Sequence, residues 1–236
     1  MEGTKIPLTV QILNFIYNTL TYFMSPALMA SAIPNILTFL TRVNTLKSIR
    51  RYKSSLSENG DTVADHSWRL TLMVSIIGTE LKAPVKIEHA MKIALVHDLA
   101  EMKTDDIDAY EVLQKRVSLE DKQKNEMIAM KEIVEGISFG DEIYNLWEEF
   151  ERQETIEAKF VKALDKIEAF MHLDETGTGV YLPPEFHGDY ADAAVENFDK
   201  ALSHFPLLQP ILDPIKENLK QKFAELGIEW VEKKNI

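Results

Sequence analysis

Apolar residues recur along this chain at spacings of three and four, the period that lines one face of an α-helix. From Pro84 through Met102 the stripe runs Ile87, Ala90, Met91, Ala94 and Leu95, with the proline at the first turn, where its missing N–H is harmless. A second stripe enters at Asp61 and Thr62, either of which can cap a helix, and continues through Leu72, Met73, Ile76 and Ile77. A third, Thr155 to Leu173, turns Ile156, Phe160, Val161, Leu164, Ile167 and Phe170 inward. Met127, Met130, Ile133 and Val134 have ordinary core spacing, and Asp189–Phe205 and Ile211–Leu226 read as amphipathic helices with acidic outer faces. No strand-like alternation outweighs this pattern and no internal repeat is present, so an all-α bundle is expected.

Polar residues interrupt the apolar stripes at informative places. His66 falls in the early turns of the second helix, and Asp165 stands among core positions of the third, where a carboxylate is unusual. His97, Asp98 and Glu101 share one region of the first, because residues three and four apart are neighbours on a helix surface. Burying such groups costs several kcal/mol unless hydrogen bonds or a cation compensate them. Taken singly, each reads as a partnered core or cap residue. Taken together, His66, His97, Asp98 and Asp165 read as ligands delivered by three helices to one divalent metal ion. Imidazole nitrogen with carboxylate oxygen suits Mn, Co, Ni, Zn, Fe or Mg.

Arg51, ahead of the first ligand helix, offers a planar fork of donors that fits phosphate oxygens, with Arg50 as the fallback. The competing reading is a solvated basic turn from Lys47 to Lys53. Glu101, one turn beyond Asp98, is placed to exchange a proton with water or a leaving alkoxide, or is an ordinary helix-surface charge.

These spaced elements resemble the HD-domain phosphohydrolases, and within them the 5′-deoxynucleotidase group. The resemblance covers roughly Asn35 to Gly177. It rests on Ile36–Leu40 into Leu46-Lys47, Arg51-Tyr52, Val63-Ala64-Asp65-His66-Ser67, His97-Asp98-Leu99-Ala100-Glu101, Asp106, and Lys162-Ala163-Leu164-Asp165-Lys166. It implies that His66, His97, Asp98 and Asp165 bind metal, that Arg51 holds phosphate, that Glu101 handles protons or the catalytic water, and that Asp106 contacts the sugar hydroxyl. Many relatives carry tryptophan after the arginine and glycine before the second acid, where this chain has Tyr52 and Asp105. In such relatives the aromatic is linked to exclusion of ribose, so its replacement by Tyr52, a candidate substrate-binding residue, leaves the choice between deoxyribose and ribose open.

Composition then bounds the picture. A chain of 236 residues, 45% hydrophobic and 27% charged, is globular. Its net charge of −12 argues against binding duplex nucleic acid, which is read through clustered Lys and Arg, and leaves small nucleotides open. The absence of cysteine excludes thiol nucleophiles and disulfides and fits a reducing, cytoplasmic setting. No Walker-type glycine loop or Gly-x-Ser-x-Gly elbow occurs.

Residues Ile6 to Thr41 contain no charge, yet Pro7, Pro26 and Pro34 and the polar residues Thr9, Gln11, Asn14, Asn18, Thr19 and Thr21 make a membrane-spanning helix a poor fit. We therefore expect residues 1–34 to be an apolar helical extension packed on the domain of residues 35–236 or across a homodimer, rather than in a membrane. The expected function is metal-dependent hydrolysis of nucleoside 5′-monophosphates, favouring deoxyribonucleotides. A deoxynucleoside triphosphate triphosphohydrolase or other phosphodiesterase on the same centre, and a noncatalytic nucleotide sensor, are the alternatives.

Overall fold

The computed structural model describes residues 26–52, 60–107, 116–176 and 203–227, with side chains from residue 32 onward. In chain order the helices are α1 (Pro26–Val43), a 3-10 turn (Asn44–Ser48), α2 (Val63–Glu80), α3 (Ile87–Val96), α4 (Glu101–Thr104), α5 (Leu119–Val134), α6 (Gly140–Arg152), α7 (Ile156–Thr176), a second 3-10 turn (Pro206–Leu208) and α8 (Gln209–Glu225). No strand occurs among the described residues; a single antiparallel bridge joins Arg50 to Thr62. The architecture is all-α. Most of the expected helix Asp189–Phe205 lies outside the described residues, as do residues 1–25. The expected division between residues 34 and 35 falls within α1.

Helix α2 begins where it does because Thr62 closes a capping box. Its hydroxyl accepts from the Asp65 N–H at 3.1 Å while the Asp65 carboxylate accepts from the Thr62 N–H at 3.0 Å. The same cap is laced to the segment before it, since Arg51 N–H donates to the Asp61 carbonyl and Val63 N–H to the Ile49 carbonyl, both at 2.9 Å. Arg51 is thereby fixed beside the first turn of α2, one turn from His66.

Helix α7 forms the hub. It buries Phe160, Val161, Leu164, Ile167, Phe170 and Leu173 and packs against α2, α3, α6 and α8. Fully burying each of the larger side chains contributes roughly 1.5–3 kcal/mol. Phe160 meets Phe205 edge-on at 5.1 Å, which ties the carboxy-terminal turn and α8 to the hub. Helices α2 and α3 approach closely because Gly78 has no side chain: a Cβ there would collide with Ile87 Cδ1.

One expectation is corrected. The stripe from Pro84 to Met102 predicts one continuous helix, but α3 starts at Ile87, ends at Val96, and is followed by tighter winding. Leu99 N–H bonds to the Val96 carbonyl at 3.1 Å, Glu101 N–H to Asp98 at 3.1 Å and Met102 N–H to Leu99 at 3.2 Å. Such three-residue bonds overwind the chain and eclipse side chains three apart. The consequence falls on the site, because adjacent residues of a regular helix diverge by about 100°.

Candidate metal centre

His97 sits at the end of α3, where its Nδ1 contacts the Ala94 carbonyl at 2.9 Å. A carbonyl can only accept, so Nδ1 carries the hydrogen and Nε2 is left as the ligating nitrogen. His66, buried on α2, is fixed in the same sense by Glu168, whose Oε2 stands 2.5 Å from His66 Nδ1. Burial opposes ionisation of Glu168, but the hydrogen bond from His66 and the charges of His66, Arg51 and Arg69 outweigh it and hold the carboxyl below its ordinary range. The two Nε2 atoms therefore face each other, 3.2 Å apart.

Two carboxylates join them. Asp98 Oδ2 lies 3.0 Å from His97 Nε2 and 3.6 Å from His66 Nε2, and Asp165 Oδ1 lies 3.3 Å from His66 Nε2. Donor atoms of His66, His97 and Asp98 all fall within 4.8 Å of one another; Asp165 attaches through His66 and stands outside that mutual set. Two imidazole lone pairs and two carboxylates converging on one point repel each other unless a cation lies between them. Their chemistry fits a divalent ion with mixed nitrogen and oxygen donors. Without one, a proton takes over part of that role: burial and the nearby Arg51 charge work against protonating His66, yet hydrogen bonds to Asp165 and Glu168 hold its pKa at about 9. Both Asp98 and Asp165 are kept far below the usual carboxylate range, in spite of burial, by neighbouring positive charge: His97 and His66 at Asp98, Lys162 and Lys166 at Asp165.

Glu101 opens α4 one tight turn beyond Asp98 and is 5% exposed. Its Oε2 is buried with no hydrogen-bond partner among the described residues. Burial first, then the charges of Asp98 and Asp106, push its carboxyl well above the ordinary value. This is an acid poised to hold its proton.

Arg51 is also buried, and its guanidinium is gripped from three sides. Nη1 donates to Glu168 at 3.1 Å and Asp61 at 3.3 Å, and Nη2 donates to the Tyr52 hydroxyl at 2.9 Å. It is no solvated basic turn. Tyr52 N–H donates to Asp106 Oδ2 at 2.9 Å, so the candidate sugar and phosphate residues are joined directly. Tyr52 and Asp105 both adopt left-handed backbone, with φ of 59° and 60°. Asp105 combines that φ with ψ 163°, a region essentially reserved for glycine.

Several residues given no role from the sequence complete the site. Glu168 is one; its only signal was the clue already used for Asp165, an acid on an apolar helix face, one turn on. The others are lysines. Lys162 Nζ lies 3.2 Å from Asp165 Oδ2 and 4.6 Å from the centroid of Phe150, whose ring packs edge-on to His97. Lys166 is pulled down to about 8, chiefly by the neighbouring charge of Lys162. Lys122 feels the carboxylates of Glu126, Glu101, Asp98 and Asp106. Glu151 is half-buried and faces Lys162 and Lys122.

A family model described as HD domain matches residues 43–204, more than half of the chain. The chain belongs to the HD-domain family. This HD-domain chain is 37% identical over 147 residues to the 5′-deoxynucleotidase HDDC2 of Danio rerio, covering 60% of this chain and 69% of that protein. It is 31% identical over 171 residues to the 5′-deoxynucleotidase HDDC2 of Homo sapiens, covering 70% and 79%. Among solved structures, a conserved hypothetical protein from Pyrococcus furiosus superposes with a TM-score of 0.61 at 26% identity, over 77% of this chain and 99% of that one. A predicted metal-dependent phosphohydrolase from Magnetospirillum magnetotacticum also gives 0.61, at 22% identity over 81% and 97%; this second likeness speaks to the HD-domain fold alone.

Proposed function

We propose that this HD-domain protein is a metal-dependent 5′-deoxynucleotidase that hydrolyses deoxynucleoside 5′-monophosphates to nucleoside and phosphate. The observation that carries the reading is the convergence of His66 Nε2, His97 Nε2 and Asp98 Oδ2, with Asp165 joined through His66, beside a buried arginine. The similarity to 5′-deoxynucleotidases of vertebrates and of Schizosaccharomyces pombe supports the substrate class.

In this reading His66, His97, Asp98 and Asp165 hold one divalent ion, which when bound supplies an acidified water and a Lewis acid at the phosphoryl oxygen. Arg51 keeps Nη1 on Glu168 and Asp61 and turns its remaining donors to the phosphate. Lys162, Lys166 and Lys122 add positive charge around the same point, where most of phosphoryl-transfer catalysis is positioning and charge stabilisation. Glu101 holds a proton at its carboxyl for the leaving 5′-oxygen. Asp106, anchored by the Tyr52 N–H, reads the sugar hydroxyl, and the Tyr52 ring disfavours ribose.

The test is product analysis on protein stripped of metal and restored with Mn or Co, offered the four deoxynucleoside monophosphates, their ribose equivalents and the triphosphates. Inorganic phosphate from deoxymonophosphates is expected. Tripolyphosphate from triphosphates identifies the triphosphohydrolase instead, and binding without product identifies a sensor.

We further propose a cytoplasmic homodimer in which residues 1–34 extend the domain of residues 35–236. Support comes from Ile33, Ile36, Leu37 and Leu40, exposed on α1 at helical spacing. No helix among the described residues is long and apolar enough to cross a membrane. Sedimentation of the full chain at twice the monomer mass is the expected result; a monomer rejects the dimer.

A further inference from the structure

Helix α7 presents one polar face to the site: Asp165, then Glu168 one turn on, then His172 a further turn on, at the i, i+3, i+7 spacing that keeps side chains in line. Asp165 meets His66 Nε2 at 3.3 Å, and Glu168 meets His66 Nδ1 at 2.5 Å. His172 goes elsewhere. Its ring lies nearly parallel to that of Tyr52, 9° between planes and 5.8 Å between centroids, an offset stack. Its Nε2 stands 3.5 Å from Asp61 Oδ1.

Both of those contacts are parts of the grip on Arg51. Tyr52 accepts from Arg51 Nη2 at 2.9 Å, and Asp61 Oδ2 accepts from Nη1 at 3.3 Å. Tyr52 in addition stands on left-handed backbone, which an aromatic residue occupies only when its surroundings hold it. Glu168 fixes the third side of the guanidinium from the same helix face. A distance of 3.5 Å to Asp61 is long for a hydrogen bond, so the ring stack is the stronger of these two contacts.

We infer that His172 is a positioning residue for phosphate binding: its ring, stacked on Tyr52, holds the Arg51–Tyr52 pair in the orientation that receives the phosphate. The inference deepens the proposed function and rests on Arg51 as the phosphate residue. The described ring contacts of His172 go to Tyr52 and Asp61, the residues that grip Arg51. Its effect belongs to substrate binding, not to the chemical step.

The test uses the full-length, metal-loaded protein and two variants, His172→Ala and His172→Phe, in which phenylalanine keeps a flat ring over Tyr52 and gives up the nitrogen near Asp61. Two quantities are read: KM and kcat for deoxymonophosphates, and the affinity for inorganic phosphate by calorimetry, which needs no turnover. We expect H172A to raise KM and the phosphate Kd about five- to tenfold, the size of one lost aromatic contact. Its kcat changes less than twofold and its metal content is that of wild type, while H172F restores both values to within about twofold. An H172A protein with unchanged phosphate affinity overturns the inference, as does an H172F protein as impaired as H172A. If H172A does not fold, His172→Gln, which keeps polarity and length without the ring, replaces it under the same two criteria. A wild-type protein that binds phosphate tightly yet releases none from deoxymonophosphates refutes the proposed activity and leaves the positioning role to be decided by the phosphate affinities.

Discussion

The Glu168 carboxylate meets His66 Nδ1 at 2.5 Å and so fixes which ring nitrogen faces the metal centre. The same oxygen accepts from Arg51 at 3.1 Å, which makes one buried acid common to the metal side and the phosphate side of the site. Glu168→Gln is expected to lower metal affinity by about 10- to 100-fold, the usual effect of losing a carboxylate behind a ligating histidine. Glu168→Ala is expected to destabilise the protein by roughly 3–5 kcal/mol as well, because the Arg51 charge stays buried with less compensation. Metal titration and denaturant unfolding check the two effects. Unchanged metal affinity in the glutamine variant rejects the orienting role.

Asp165 enters the centre through His66 alone, so its variant tests whether four residues or three hold the ion. Asp165→Asn is expected to weaken metal binding by at least about tenfold and to abolish phosphate release at limiting metal. Full metal content with full activity removes Asp165 from the ligand set.

The metal-free protein has a pH signature. His66 has a pKa of about 9 against an ordinary 6.5, raised by its hydrogen bonds to Asp165 and Glu168. A raised folded-state pKa contributes stability that is complete below 6.5 and lost as pH rises through 9. Chelator-treated protein should therefore lose roughly 3 kcal/mol of unfolding free energy between pH 6 and 9.5. Metal-loaded protein should not. Denaturant midpoints at a series of pH values decide the matter, and a flat profile for the stripped protein contradicts it.

Glu101 is raised as well, so it too makes stability fall as pH rises, here because its charged form is the disfavoured one. Its carboxyl is raised by burial, Asp98 and Asp106, so its influence is benign below its ordinary value and turns unfavourable as rising pH forces ionisation. Glu101→Gln should leave stability at pH 4 unchanged, raise it by about 1–2 kcal/mol at neutral pH in stripped protein, and abolish turnover. An active, unstabilised variant excludes the proton-carrying role.

Asp105 holds a backbone conformation, φ 60° and ψ 163°, that strains any residue with a Cβ. Asp105→Gly is expected to stabilise the protein by about 1 kcal/mol, the strain relieved less the extra freedom of glycine in the unfolded chain. A lower melting temperature points instead to contacts of the aspartate side chain.

Much of this arrangement was legible in the sequence because helix period and polar interruption are local signals. Phe160, Leu164 and Ile167 marked the buried face of α7 in advance, and His66, His97 and Asp98 stood out as polar residues among apolar ones; the structure brings those three together. The end of α3 was not legible, since no glycine or proline stands between Val96 and Glu101 and the tighter hydrogen bonds arise from the surroundings. Nor was the pairing of Arg51 with Glu168, residues 117 apart, which only packing of α7 beside the Thr62 cap creates. The departure at Asp105 was visible as a missing glycine, but its meaning appeared only as a backbone angle.

His66 and His97 are separated by 31 residues, and Asp165 arrives from α7, far later in the chain. In the proposed assignment, a cation shared by these positions would act as a removable crosslink: it would fasten distant stretches of the folded chain together, stabilise the form that binds it, and be withdrawn by any competing chelator. Copies without the ion would then lose their chemistry and their fastening at once, so a single supply of metal would set both activity and resistance to proteolysis.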